Sequence, residues 1–176
     1  MYNSIPEVIS LDKKTRDQRT DVISRLYGME FNLIPMNGKK PCLEWKIYQS
    51  ERVTPEEIKE WMRGRFPAED GRKFWKPEVF NFALLTGAVP WSKCNPGIVV
   101  LDADDGEAEE LVLTRCPPTP MVQITGSGYK QFVYQRPSIQ SEHYIGNRQK
   151  VSFNGVRYNL DVRGDGGYIM APGSIH

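Results

Sequence analysis

The stretch Gly97-Ile98-Val99-Val100-Leu101-Asp102-Ala103-Asp104-Asp105 decides the fold class. Its β-branched run has no polar alternation, the pattern of a central strand buried on both faces, and it places Asp102 where that strand ends. Working outward, Glu107 to Leu113 predicts a short helix, Thr119 to Thr125 and Gln131 to Tyr134 predict strands, and Val151 to Tyr158 predicts a hairpin around Asn154-Gly155. Tyr158 to Val162 is a strand carrying Asp161, Arg163 to Gly167 a turn, and Tyr168 to Ala171 a last strand. Upstream, Phe80 to Leu85 reads as a strand ending at Thr86-Gly87, and Arg63 to Pro77 reads as a loop. Thr54-Pro55-Glu56-Glu57 joins a capping hydroxyl, a proline at the first helical position and a glutamate at the third, so a helix follows, with Ile58, Trp61 and Met62 as its apolar stripe. Before it, Val22, Ile23, Leu26 and Tyr27 fall at helical spacing, Gly28 fits the stop, and Phe31, Leu33 and Pro35 alternate as a short strand. Residues 1–21 are polar without a sustained period and are expected to form an N-terminal extension with at most one short helix, with residues 22–176 as one domain.

Composition narrows the function classes. The 176 residues include 39% apolar and 26% charged side chains, with 15 Gly and 13 Pro dispersed, which excludes collagen-like and wholly disordered chains. Lys plus Arg is 23 against 22 for Asp plus Glu, a net charge of +1, so no global field draws the protein to nucleic acid or anionic lipid and any such contact must be local. No apolar run approaches the roughly 20 residues that span a bilayer, and the first residues lack the apolar core of a secretory signal. The sequence reading therefore involves no membrane and places the protein in the cytoplasm. Cys42, Cys94 and Cys116 are too far apart for a metal knuckle and too few for a disulfide framework, and are read as reduced thiols.

Three constellations can carry chemistry. In an extended segment, residues i and i+2 point to one side, so Asp102 and Asp104 can face one hard cation; the spacing alone equally allows an acidic loop capping the next helix. Asp161, between Leu160 and Val162, is either a partner for a nearby arginine or a third carboxylate, which would complete a triad able to hold two divalent ions about 3.5–4 Å apart. Thr125-Gly126-Ser127-Gly128-Tyr129-Lys130 is a small-residue turn whose amides, Ser127 hydroxyl and Lys130 ammonium suit an anion, or is a plain hairpin; it lacks the order of a Walker loop.

In the order DxD, Gly-Ser-Gly turn, strand-borne Asp, the chain resembles the bifunctional primase–polymerase domain of the archaeo-eukaryotic primase superfamily, found in plasmids, phages, archaeal viruses and some defence systems. Tyr27-Gly28 with Phe31, Leu33 and Pro35, then Gly38-Lys39-Lys40-Pro41, resembles that family's opening strand and Lys-Pro turn. Phe82 to Gly87 resembles the stretch before its first acidic motif, and the run Leu160 to His176 resembles its most specific segment. The resemblance covers about Val22 to the end of the chain. It implies an α+β fold: a mixed sheet with a core like an RNA-recognition motif, and a small N-terminal helix–strand lobe. It further implies a template-directed nucleotidyltransferase, a DNA primase or polymerase, with Asp102, Asp104 and Asp161 holding two Mg²⁺ or Mn²⁺ ions. Ser127, Gly128 and Lys130 would meet the incoming NTP or dNTP, with Arg163 and His176 near the nucleotide and Lys39 or Lys40 on phosphate or template. Where the family usually has a histidine in its second motif, this chain has Lys130, or Gln131 if the turn is one residue shorter.

A single-stranded or primed DNA template needs a basic groove, and Arg63, Arg65, Arg72, Lys73 and Lys76, interleaved with Phe66, Phe74 and Trp75, are the expected contacts. The family commonly continues beyond the Pro-x-Ser-x-His segment, so the expectation includes a fragment of a longer replication protein, partnered by a helicase or helical primase module on its C-terminal side. The alternative functions are a catalytically weak nucleotide- or nucleic-acid-binding module of the same fold, and a two-metal nuclease.

Overall fold

The computed structural model describes residues 13–67, 73–75, 81–137 and 144–174, with backbone alone for 13–17, 66–67 and 73–75. In chain order the elements are α1 (Lys13–Gly28), β1 (Leu33–Asn37), β2 (Lys40–Pro41), a 3₁₀ turn (Lys46–Gln49), α2 (Pro55–Met62), β3 (Arg65–Pro67), β4 (Lys73–Trp75) and β5 (Asn81–Leu85). They continue with β6 (Ile98–Ala103), α3 (Gly106–Arg115), β7 (Val122–Ile124), β8 (Lys130–Gln135), β9 (Ser152–Phe153), β10 (Val156–Arg157), β11 (Leu160–Arg163) and β12 (Tyr168–Met170).

The α2 cap forms as the sequence predicts: Thr54 Oγ1 accepts from Glu57 N at 3.2 Å, and Glu57 Oε2 accepts from Thr54 N at 2.8 Å. Two expectations need correction. Helix α1 begins at Lys13 and runs unbroken to Gly28, where the sequence allows only a short helix before a start near Asp21; Lys13, Lys14, Arg16 and Gln18 favour helix without supplying an apolar stripe. The expected loop from Arg63 to Pro77 contains the antiparallel pair β3–β4, with Phe66 opposite Phe74; strands of three residues are too short to show a period.

Two four-stranded sheets organise the chain, ordered β12-β5-β1-β2 and β11-β6-β8-β7. In the second, the chain sequence β6, β7, β8, β11 gives the order 4-1-3-2, a split β-α-β arrangement in which α3 leads from β6 to β7 and β8 inserts between them. This is the strand order expected of an RNA-recognition-motif-like core, and the fold is α+β. Every pairing between these strands is antiparallel rather than of mixed sense.

The sheets meet where Gly87 N donates to Ile98 O (2.7 Å) and Ile98 N to Gly87 O (3.2 Å). Gly97, at φ +96, allows this approach, since a Cβ there would stand 1.8 Å from the Gly87 carbonyl oxygen. One core gathers Leu33, Phe82, Leu84 and Ile169 of the first sheet, Ile98, Val100 and Val133 of the second, and Ile23, Leu26, Ile58 and Trp61 of the helices. A separate core packs Ala103, Phe132 and Leu160 against Ala108 and Val112 of α3. The three cysteines form no disulfide, and among the described residues no helix is long and apolar enough to cross a membrane.

Candidate active site

Strand alternation sets the position of Asp102. Ile98 and Val100 point into the core shared by the two sheets, Leu101 and Ala103 point toward α3, and Asp102 is the next residue on the Ile98–Val100 face. Strand β6 runs on through Asp102 to Ala103, one residue beyond the sequence expectation. In register, Asp102 is opposite Asp161 of β11 on one side and Gln131 of β8 on the other, and Gln131 is opposite Gln123 of β7. Directly opposed residues share a face, so one polar row crosses the sheet where its apolar rows end.

This row is not self-sufficient in hydrogen bonds. Asp102 Oδ1 and Gln131 Oε1 are buried without a partner, an arrangement that costs free energy unless something else supplies a donor or a cation. Burial pushes the Asp102 carboxyl up from its ordinary range; the Gln131 side-chain bond opposes this, Asp104 adds to it, Arg163 opposes it, and Asp161 adds to it. Asp161, 8% exposed, is better satisfied: Oδ1 accepts from Lys150 N at 3.0 Å and Oδ2 from Arg163 Nη2 at 2.8 Å. Asp105 caps α3, accepting from Ala108 N at 2.8 Å and from Asn159 Nδ2 at 2.6 Å, and these bonds hold its carboxyl below the usual range. The helix-capping role weighed for the acidic run therefore belongs to Asp105. Among the described residues, no three His, Cys, Asp or Glu side chains converge closely enough to chelate an ion.

The polar row opens into a cavity of about 600 Å³ between the sheets, lined among others by Asp102, Asp104, Lys39, Ser127, Arg163 and Tyr168. Asp104 is exposed there, while Asp161 does not line it. The Gly-Ser-Gly turn closes through Gly128 N to Thr125 O (2.9 Å) and Thr125 N to Tyr129 O (2.8 Å), placing Gly126 and Ser127, but not Gly128, on the cavity wall. Lys130 stands apart: alternation turns it toward α3, where Nζ lies 2.8 Å from Glu109 Oε2, and Gln131 takes the place beside Asp102. Lys40 is exposed on β2. Of the expected DNA contacts, Arg63 and Arg65 pair with Glu60 at 3.2 and 3.5 Å. Lys73 is described by its backbone only, and Arg72, Lys76 and His176 lie outside the described residues.

Residues the sequence reading did not select also build the site. Gln123 Nε2 donates to Met170 O at 2.9 Å, tying the row to β12. Tyr168 meets Trp45 edge to face at 5.2 Å. The loop from Gly164 to Gly167, which joins β11 to β12, is clasped by Asp165, whose carboxylate accepts from Ala88 N (2.7 Å), Ile145 N (2.8 Å), and Arg136 Nε (3.2 Å) and Nη2 (3.1 Å). Period-two counting along β8 was the available signal for Gln131; the others depend on pairings that no local pattern encodes.

A 4-1-3-2 antiparallel sheet that carries a row of carboxylates and amides into a polar cavity defines an α+β domain suited to a charged ligand. Residues 23–176 match the family described as bifunctional DNA primase/polymerase, N-terminal. The chain belongs to that family. Membership implies nucleotidyl transfer of the DNA primase or polymerase kind, nucleic-acid and nucleotide substrates, and a general dependence on divalent metal. The comparison with curated proteins returns no match.

Proposed function

We propose that the chain is a template-directed nucleotidyltransferase that adds (d)NTPs to a 3′-hydroxyl, with Asp102, Asp104 and Asp161 as the ligands of two Mg²⁺ or Mn²⁺ ions. The observation that carries this reading is the buried, unpartnered Asp102 Oδ1, on a carboxylate raised by burial and opposite Asp161 in register. An all-oxygen donor set suits a hard cation, and a cation would give the buried Asp102 oxygen the partner it lacks. When bound, such ions lower the pKa of the attacking hydroxyl and offset charge on the α-phosphate and pyrophosphate.

The chain's own residues do the positioning. Gln131 donates to Asp102 and fixes its orientation. Lys39, Arg163 and the Ser127 hydroxyl line the cavity and suit a triphosphate. Arg163 donates to Asp161; were its guanidinium to turn to a phosphate, Asp161 would be available to a metal. The Arg163–Asp161 pair equally favours a second reading, a catalytically weak module that binds nucleotide or nucleic acid without turnover.

The two are separated with the whole chain, a primed DNA template, labelled dNTPs and, in parallel, Mn²⁺ or Mg²⁺. The proposal expects incorporation with pyrophosphate release, falling by on the order of 10³-fold in Asp102→Ala. Absence of incorporation with either metal, alongside measurable nucleotide binding, supports the module instead.

A further inference from the structure

The segment between Ile145 and Leu160 contains no acidic residue, yet it runs beside the acids of the polar row. Its entry is tied to that row by Lys150 N on Asp161 Oδ1, and its exit by Asn159, whose carbonyl accepts from Asp104 N at 2.9 Å. Asn147, near its start, lines the cavity. Between these ties β9 and β10 project as a hairpin, turning at Asn154 (φ +50) and Gly155 (φ +80), the backbone that Asn-Gly hairpins adopt. Arg157 is exposed on β10, Arg148 and Lys150 are exposed on the segment leading into the hairpin, where Arg148 pairs its backbone with Val162 of β11, and Arg115 of α3 stands with its guanidinium 5.8 Å from the Phe153 ring centroid.

Arg63 and Arg65 are spent on Glu60, Lys130 on Glu109 and Arg163 on Asp161, whereas Arg115, Arg148, Lys150 and Arg157 take part in none of the ion pairs among the described residues. The hairpin also leaves Phe153 38% and Val156 51% exposed, on strands of two residues each that bury little in return. Unpaired cations interleaved with an exposed aromatic ring are what a single strand requires: charge for its phosphates and a face for its bases.

We infer that the β9–β10 hairpin and the segment leading into it form a single-stranded DNA contact, in which Arg148, Lys150 and Arg157 meet phosphates and a base stacks on Phe153 backed by Arg115. This rests on the nucleotidyltransferase reading for its biological sense, since it sets a strand beside the acids. Its test needs neither metal nor turnover. Binding of a fluorescein-labelled oligodeoxythymidine of about 16 nucleotides is followed by polarisation across a salt series, in EDTA, with the whole chain. The triple variant Arg148→Gln/Lys150→Gln/Arg157→Gln is expected to reduce the slope of log K against log salt by about 2, from roughly 0.7 per phosphate contact on single strands. Phe153→Ala is expected to weaken binding roughly 5- to 150-fold at fixed salt. The substituted side chains are exposed, and thermal melting checks that both variants stay folded.

Unchanged affinity and slope in both variants overturn the inference, as does a wild-type chain with no affinity for the strand at low salt. If the variants lose binding while wild type never incorporates nucleotide, the hairpin contact stands and the nucleotidyltransferase reading falls. If wild type incorporates nucleotide while the variants bind like it, the reverse holds.

Discussion

Asp102→Asn is expected to stabilise the metal-free protein while removing its capacity for metal. The substitution keeps the side-chain shape and removes a charge that burial disfavours and that faces Asp104 and Asp161. What it loses is the attraction to Arg163 and the charge on the acceptor that Gln131 reaches. Against that loss, the introduced amide can donate to Gln131 Oε1, giving a partner to an oxygen that now has none. An unsatisfied buried acceptor costs about 1–3 kcal/mol and a neutral hydrogen bond returns about 1 kcal/mol. Allowing for the lost attractions, the net gain is about 1 kcal/mol, or roughly 2–4 °C in midpoint for a chain of this size. The sign follows from linkage: a carboxyl raised in the folded state penalises folding above its pKa, so the variant's advantage is present at neutral pH and shrinks as pH falls into the carboxylate range. Circular dichroism melts in EDTA, then in Mn²⁺, provide the assay. Saturating Mn²⁺ should raise the wild-type midpoint, by about 2.7 kcal/mol of stability at a hundredfold excess over Kd, and leave the variant where it was. A variant that melts below wild type in EDTA would refute the claim that Asp102 is held at an energetic cost.

Asp165→Ala removes the acceptor for two main-chain amides and opposes Arg136 no longer, so a loss of about 3–5 kcal/mol is expected in urea unfolding at pH 7. Burial raises the Asp165 carboxyl, but the Arg136 bond and the Ile145 and Ala88 amides outweigh it and hold it below the usual range. Its contribution is therefore complete above about pH 4 and lost as pH falls through the lowered folded value, where wild type and variant should converge. Gln131→Ala should weaken Mn²⁺ affinity by roughly 10–100-fold in a titration, whereas Lys130→Ala, whose partly exposed pair with Glu109 contributes under about 1 kcal/mol, should leave it unchanged. Gly167→Ala would set a Cβ 2.2 Å from Asn147 Oδ1 and 2.7 Å from Thr86 Oγ1. Because both oxygens are bonded to Gly164, a loss of about 1–3 kcal/mol is expected by the same unfolding measurement.

What the sequence disclosed was local. The cap at Thr54, the apolar strand run Ile98 to Leu101 and the Asn154-Gly155 turn each carry their signal within a few residues, and each forms where that signal lies, although the run alternates buried and half-buried residues instead of being buried on both faces. The start of α1 and the β3–β4 pair carry no apolar period, and there propensity and pairing decided the structure. The polar row is legible only in part. Asp102 and Asp161 were visible as acids on strands, but that β11 lies beside β6 with those two residues opposed is a property of long-range pairing. The exchange of roles between Lys130 and Gln131 depended on a one-residue shift, which in a strand moves a side chain to the opposite face. The ion pairs of Arg63 and Arg65 were out of reach, since a run of basic residues does not disclose which carboxylates the fold brings to it, whereas an arginine partner for Asp161 was one of the two readings of that acid and is met by Arg163.

Anomalous scattering from crystals of the whole chain grown with Mn²⁺ and a non-hydrolysable dNTP tests the central claim most directly. Two manganese peaks bridging Asp102, Asp104 and Asp161, with Arg163 turned from Asp161 onto phosphate, is the predicted result. Nucleotide bound in the cavity, with no manganese at these carboxylates and the Arg163–Asp161 bond intact, would contradict it.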